Sequence, residues 1–225
     1  RETDDIESLL SGYHCLFPRN FDEMMDRDGN AYSSRVRDHG EFLRNLPMPY
    51  DHDLFISYRR QPLLWTPWAR ELLVPYLSGY LQQELGHAPK IFIDSRIEGG
   101  KDWVDDIAKN LARSRAIVSV WSGDYFTSPW CVHELDMMME RNADIVVPLV
   151  VQNCREEQLS DRLNRLQQID LKKFRIFPIS VGTTLITEFS AMIREIVPTI
   201  AQAIRSAPKF NNKWTQQCLR RFDEV

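Results

Sequence analysis

The chain has no excess of positive charge: 28 Lys and Arg against 32 Asp and Glu leave a formal net charge of −4. That excludes a nucleic-acid binder relying on bulk cationic attraction. Long apolar runs are missing as well. The longest stretches without a charged side chain, Leu72 to Gln83 and Ile176 to Thr187, are 12 residues each and contain Gly and polar residues. A bilayer-spanning helix needs about 20 apolar residues, so no membrane span is expected. No basic n-region and apolar h-region open the chain, so nothing points to secretion. Cysteine is scarce. Cys15, Cys131, Cys154 and Cys218 lie far apart without a CxxC pair, which argues against a disulfide framework or a zinc knuckle and fits a reduced, cytoplasmic compartment. No internal repeat or low-complexity tract occurs. The chain opens on Arg1 rather than Met, as a piece trimmed from a longer protein would.

What is present is ample core material: 225 residues, 43% hydrophobic and 11% aromatic, enough for one ordinary domain with extensions. Charge is unevenly spread. Residues 1–50 hold six basic and ten acidic side chains and so carry the whole −4, whereas residues 51–225 hold 22 of each. Residues 1–49 therefore read as an acidic N-terminal extension, with turn formers at Pro18-Arg19-Asn20, Asp28-Gly29-Asn30 and His39-Gly40. Pro47 and Pro49 end it like a linker. Asp26-Arg27-Asp28-Gly29-Asn30 has the look of a calcium loop but lacks the remaining ligand spacing and the terminal Glu, so no metal site is expected.

From residue 51 onward short β-rich runs alternate with helical patterns. The expected strands are Asp53–Tyr58, Lys90–Asp94, Ala116–Ser122, Ile145–Val151 and Arg175–Ile179. Several are nearly continuous in Val, Ile, Leu and Phe, as in a parallel sheet covered on both faces. Pro148 implies an end, bulge or edge within the fourth. Thr66-Pro67 opens a helical pattern reaching Leu85 before Gly86, with Pro75 bending or dividing it. Trp103, Ile107 and Leu111, with Val104 and Ala108, mark one amphipathic stripe. Ser128-Pro129 reads as an N-cap followed by Pro at the first helical position, with Val132, Leu135, Met138 and Met139 as the buried face. Phe189 through Ile204 forms a last long helix that Pro198 should kink. Asn153 to Lys173 reads as a weak helix and a loop. The tail 209–225 fits a short amphipathic helix through Trp214, Cys218, Leu219 and Phe222. The alternation predicts an open, doubly wound α/β sheet with right-handed crossovers.

Such a sheet binds ligands beyond the carboxyl ends of its strands, where the strand order reverses. The residues at those ends are Tyr58-Arg59-Arg60, Asp94 followed by Ser95 to Trp103, and Trp121-Ser122-Gly123-Asp124. Two arginines, Lys101, Gly99, Gly100 and several aromatics suit a phosphate-bearing ligand with flat rings. Cys131 is expected to pack in the core. His133 and Glu134, adjacent on a helix, point about 100° apart and should not act as a dyad.

The run DLFISYRR, then IFID with SRIEGGKDW, then AIVSVWS and SPWCVHEL resembles the Toll/interleukin-1 receptor (TIR) domain in order and spacing over 50–208. The resemblance is closest to the TIR domains that cleave NAD, found in bacterial and plant immunity and in the animal axon-degeneration enzyme. It implies a flavodoxin-like five-stranded parallel sheet in the order 2-1-3-4-5. It also implies a catalytic carboxylate in a W-C-x-x-E pattern, here Trp130-Cys131-Val132-His133-Glu134, which would set Glu134 at a cleft edge between the apolar stripe and the exposed face. Tyr58, Arg59, Asp94, Gly100, Lys101, Trp103 and Trp130 are the implied substrate-binding residues, with Arg60 read as a solvated surface charge. For Trp103, stacking on a ligand ring and opening the core stripe are equally open. For Asp94, capping the loop and touching ligand are equally open. Ser95 to Asp102 corresponds to the family's mobile BB loop, which also mediates TIR–TIR contacts.

The expected function is NAD+ cleavage to nicotinamide and ADP-ribose or a cyclic form, with NAD+ as substrate and no cofactor. Self-association would switch it on, with a sensor domain or partner protein controlling assembly in an immune or antiviral setting. The neutral charge of 51–225 lowers self-repulsion in such an assembly. A non-catalytic TIR scaffold is the alternative, and a nucleoside deoxyribosyltransferase-like enzyme shares the fold plan.

Overall fold

The computed structural model describes residues 50–61, 63–94, 101–175 and 184–223, with Lys101, Asp102 and Glu156 described by backbone alone. Five parallel strands form one sheet: β1 (His52–Tyr58), β2 (Ile91–Ile93), β3 (Ser114–Trp121), β4 (Val146–Val150) and β5 (Ile169–Asp170). Their order is β2-β1-β3-β4-β5, the flavodoxin-like arrangement. The order reverses between β1 and β3, whose carboxyl ends meet in register at Tyr58 and Val120. That is where a crevice for ligand forms in such sheets.

The fifth strand lies elsewhere than expected. It is Ile169–Asp170, inside the stretch read as weak helix and loop, while Arg175 lies outside any strand and 176–179 lie outside the described residues. Pro148 accounts for part of this. β4 keeps its full ladder to β3, with Ser119 opposite Pro148, but pairing to β5 starts only at Leu149. A residue without an N–H cannot donate to the ladder, and β5 is left with two paired residues.

Helices cover the sheet. Residues Trp65–Pro67 are α-helical, Trp68–Leu73 widen into a π-helix, and α1 (Val74–Leu85) follows with Pro75 in its first turn. Pro75 lies within this continuous helical path and has no N–H for the turn before it; the path widens there into a π-helix instead of breaking. Gly86 ends α1 in the left-handed region at φ 76°, which glycine adopts without a Cβ penalty. The remaining long helices are α2 (Lys101–Ala112), α3 (Pro129–Arg141), α4 (Thr184–Arg205, unbroken through Pro198) and α5 (Lys213–Phe222). α1 packs on α4, and α5 packs on α2 and α3. No helix among the described residues is long and apolar enough to cross a membrane.

Two aromatic clusters tie these layers together. In the first, fully buried Phe189 meets Trp68, Tyr76 and Phe174 edge-on at ring separations of 6.3, 5.4 and 5.4 Å. The Trp68 indole donates to the Phe174 carbonyl at 2.7 Å. In the second, at the amino edge of the sheet, Tyr50 packs against Phe210 and Trp214 and donates to the Pro208 carbonyl at 2.7 Å. Arg141 lies 4.7 Å over Trp214 and donates to the Leu111 and Ala112 carbonyls, a cation at the C-terminus of α2. The tail segment therefore contributes to the core, with Cys218 and Phe222 buried.

Replacing Phe189 by Ala should cost about 4 kcal/mol, because three rings lose their common neighbour and the void cannot close. Thermal unfolding followed by near-ultraviolet circular dichroism should show a midpoint lowered by about 10 °C.

Candidate functional site

The carboxyl end of β1 carries the site. Strand alternation turns Ser57 toward α3, while Tyr58, 5% exposed, donates its hydroxyl to the Asp94 carbonyl at 2.8 Å. Burial raises the Tyr58 phenol above its ordinary pKa. This bond ties the ends of β1 and β2 together across the sheet.

α3 begins where predicted. Ser128 is its N-cap, accepting from the Cys131 N–H at 3.5 Å, with Pro129 as the first helical residue. The buried face is Cys131, Glu134, Leu135, Met137, Met138 and Met139, with Val132 half-buried. Glu134 is thus not at a cleft edge as expected: it is 7% exposed, inside the apolar face. Its Oε2 accepts from the Ser57 hydroxyl at 2.5 Å, and Ser57 in turn lies 2.7 Å from the Tyr125 hydroxyl. Tyr125 also reaches the Cys131 carbonyl at 3.2 Å. A small polar residue on β1 leaves both the space and the donor that a carboxyl group needs beneath a helix.

Burial pushes the Glu134 acid up to about 7. The Ser57 hydrogen bond and the Arg60 charge work against this, and Asp94 adds to it. Glu134 is therefore divided between its two protonation states near neutrality. Ionised, it accepts from Ser57; protonated, it can donate to Ser57, whose hydroxyl then donates to the Tyr125 oxygen while Tyr125 donates to the Cys131 carbonyl. Both states satisfy every hydroxyl in the chain.

Next to this group lies a row of flat side chains. The Trp103 indole donates to Asp94 Oδ2 at 3.1 Å, and the Arg60 guanidinium pairs with the same carboxylate oxygen at 2.8 Å while lying 4.1 Å over the Trp103 ring. Trp130 follows at 5.1 Å from Trp103, and Phe222 stacks on Trp130 at 5.4 Å with 15° between planes. Trp103 takes the core role, 8% exposed at the head of the stripe with Ile107 and Leu111, and its ring is part of this row.

Arg60 was expected to be a solvated surface charge and instead sits in the site. Arg59 turns away to Asp124 at 3.8 Å, where Ser122 and Gln61 also bond the carboxylate. Asp94 uses its carboxylate on Trp103 and Arg60. Gly100 and the rest of 95–100 lie outside the described residues, and Lys101 is described only as the first residue of α2. Ser57 and Tyr125 were not singled out in the sequence. A serine between Ile56 and Tyr58 on an otherwise apolar strand was the available signal. Cys131 is buried as expected, its thiol pushed up to about 12 by desolvation. Among the described residues, no three His, Cys, Asp or Glu side chains converge to hold a metal.

Comparison with known proteins identifies the family. The model of the TIR domain family matches residues 54–178, over half the chain. The disease resistance protein RPS4 of Arabidopsis thaliana is 23% identical over 177 residues, covering 71% of this chain and 14% of that protein. Toll-like receptor 12 of Mus musculus is 36% identical over 84 residues, covering 37% of this chain and 9% of that receptor. The crystal structure of the TIR domain of the Toll-related receptor TRR-2 from Hydra magnipapillata is 18% identical, with a TM-score of 0.38, covering 54% of this chain and 85% of that one. This chain thus spans less than a sixth of either curated relative. A parallel sheet in the order 2-1-3-4-5, matched through β1 to β5 by the family's own pattern, makes the chain a member of the TIR domain family.

Proposed function

We propose that this TIR domain is an NAD+ glycohydrolase that breaks the bond between nicotinamide and ribose, releasing nicotinamide and ADP-ribose or its cyclic form. The observation that carries the reading is Glu134: a buried carboxyl group, held by Ser57 at the switch point of the sheet, one helical turn after Trp130, whose ring meets that of Trp103. Buried carboxyls tuned to the working pH are a feature of sites that do chemistry.

One carboxylate is enough for this reaction. Ordinary glycoside hydrolysis needs a second, because the leaving oxygen must be protonated. Nicotinamide in NAD+ is already cationic and leaves neutral. What remains is to stabilise a ribosyl cation until water, or the adenine ring in the cyclising case, adds at the anomeric carbon. An ionised Glu134 in a site of low dielectric supplies that charge. The indoles of Trp103 and Trp130 offer faces for a ring, and Arg59 and Arg60 would exchange Asp124 and Asp94 for the diphosphate, with Lys101 the third cation that the TIR resemblance implies. Similarity to a disease resistance protein supports a role in immune signalling, with self-association through TIR–TIR contacts as the switch and a sensor domain or partner protein as the trigger.

A signalling scaffold is the second reading, and one observation favours it. Glu134 is 7% exposed and Arg60 covers Trp103, so the rim must open before a dinucleotide reaches the carboxylate. An enzyme activated by assembly meets that requirement, while a scaffold has no need to.

Concentrated protein incubated with NAD+ should release nicotinamide, and Glu134→Gln should lower the rate at least about 100-fold, the scale of losing one electrostatic stabiliser. Release that survives the substitution removes Glu134 from catalysis, and no release from the wild type at any concentration, with or without a crowding agent, leaves the scaffold. The ionised carboxylate being the active form, the rate should climb as pH rises through about 7.

Stability should run the other way. Because the folded acid is weaker than the unfolded one, the contribution of Glu134 is full below its ordinary pKa of 4.5 and is lost as pH rises to about 7. Wild type should therefore lose about 2 kcal/mol relative to Glu134→Gln between pH 5 and pH 8, measured by urea unfolding.

A further inference from the structure

Trp130 is the less secured of the two indoles. Trp103 is fixed by its hydrogen bond to Asp94 and by the Arg60 guanidinium over its ring. Trp130 occupies the second position of α3, in the first turn of the helix and on its half-buried side. Among the described residues its ring meets Trp103 at 5.1 Å and Phe222, stacked at 5.4 Å, and packs against the core. Phe222 is 2% exposed and covers one face of Trp130, with its edge toward His133 at 6.3 Å.

Phe222 belongs to the last turn of α5, which lies beyond the segment 54–178 that the family model matches. α5 is fastened along its length. Trp214 at its start packs on Tyr50 and Phe210 beneath Arg141, Cys218 is buried, and Arg221 pairs with Glu140 of α3 at 2.7 Å. A helix held this firmly presents Phe222 in one place.

We infer that Phe222 is a positioning residue for the candidate site: stacked on Trp130, it holds that indole against Trp103 so that the two rings form one wall for a flat ligand group. The inference rests on the NAD+ reading for the identity of the ligand, but the placement of Trp130 stands on geometry alone. Phe222 touches no substrate. Its loss acts through Trp130, which turns into the vacated space and leaves Trp103 without its neighbour. Binding suffers while Glu134, one turn further along α3, keeps its charge and its bond to Ser57.

The test uses the whole chain with Phe222→Ala, Phe222→Leu and Phe222→Tyr, and Trp103→Phe as a control. Two indoles this close couple in circular dichroism, as do Trp65 and Trp68 at 6.1 Å, so the couplet of the Trp103–Trp130 pair is read as the part of the signal that Trp103→Phe removes. Phe222→Ala and Phe222→Leu should weaken it, and Phe222→Tyr, which keeps the ring, should retain it. In steady-state kinetics with NAD+, Phe222→Ala should raise KM about tenfold, the scale of one aromatic contact, with kcat within about twofold of wild type and KM restored in Phe222→Tyr. If Phe222→Ala does not fold, Phe222→Leu carries the same comparison. An unchanged couplet in a folded Phe222→Ala or Phe222→Leu protein overturns the inference, as does a loss confined to kcat. Wild type that does not cleave NAD+ sinks the catalytic reading instead, and the couplet then decides the placement of Trp130.

Discussion

Everything at the carboxyl edge of this sheet is arranged around a carboxyl group kept from water. Glu134 faces inward from α3, and one hydroxyl on β1 receives it. A carboxylate in such a place is tolerated only if a donor meets it or a proton neutralises it. Here both routes are open, which is why its acid strength falls near neutrality. The neighbours follow from that constraint. Ser57 must be small and polar, Tyr125 must be within reach of Ser57, and Arg60 and Asp94 must lie close enough to bias the proton in opposite directions.

The broad plan was legible because apolar continuity is a strong signal. β1, β3 and β4 are runs of Val, Ile, Leu and Phe, and the structure finds them within a residue or two of their expected limits. The Ser128-Pro129 cap placed the start of α3 to the residue. β5 was not legible, since an edge strand of two residues carries no periodicity and 176–179 is the more apolar stretch of sequence. At Pro75 the sequence indicated a disturbance, but the remedy, a widened turn upstream, depends on tertiary packing.

The site was legible by residue type and less so by contact. Glu134 could be singled out by its motif, but its depth could not. Burial depends on which strand residue lies beneath the helix, and that is a matter of topology. The two arginines after β1 illustrate the same limit. Nothing in Arg59-Arg60 says which will turn back over Trp103 and which will bond Asp124, because each answer depends on partners 34 or more residues away. Phe222 was readable as a buried position of an amphipathic tail helix, whereas its stacking on Trp130 was not.

The direction in which α5 runs has a mechanical consequence. Its first turn is fastened to Tyr50 at the amino edge of the sheet, and its last turn reaches Trp130 at the carboxyl edge. A pull on the chain beyond Phe222 would peel the helix from its last turn backwards. The stacked ring would separate first and the Tyr50 clasp last. Tension from that side would therefore separate the stacked rings of Phe222 and Trp130 before it loosened the sheet.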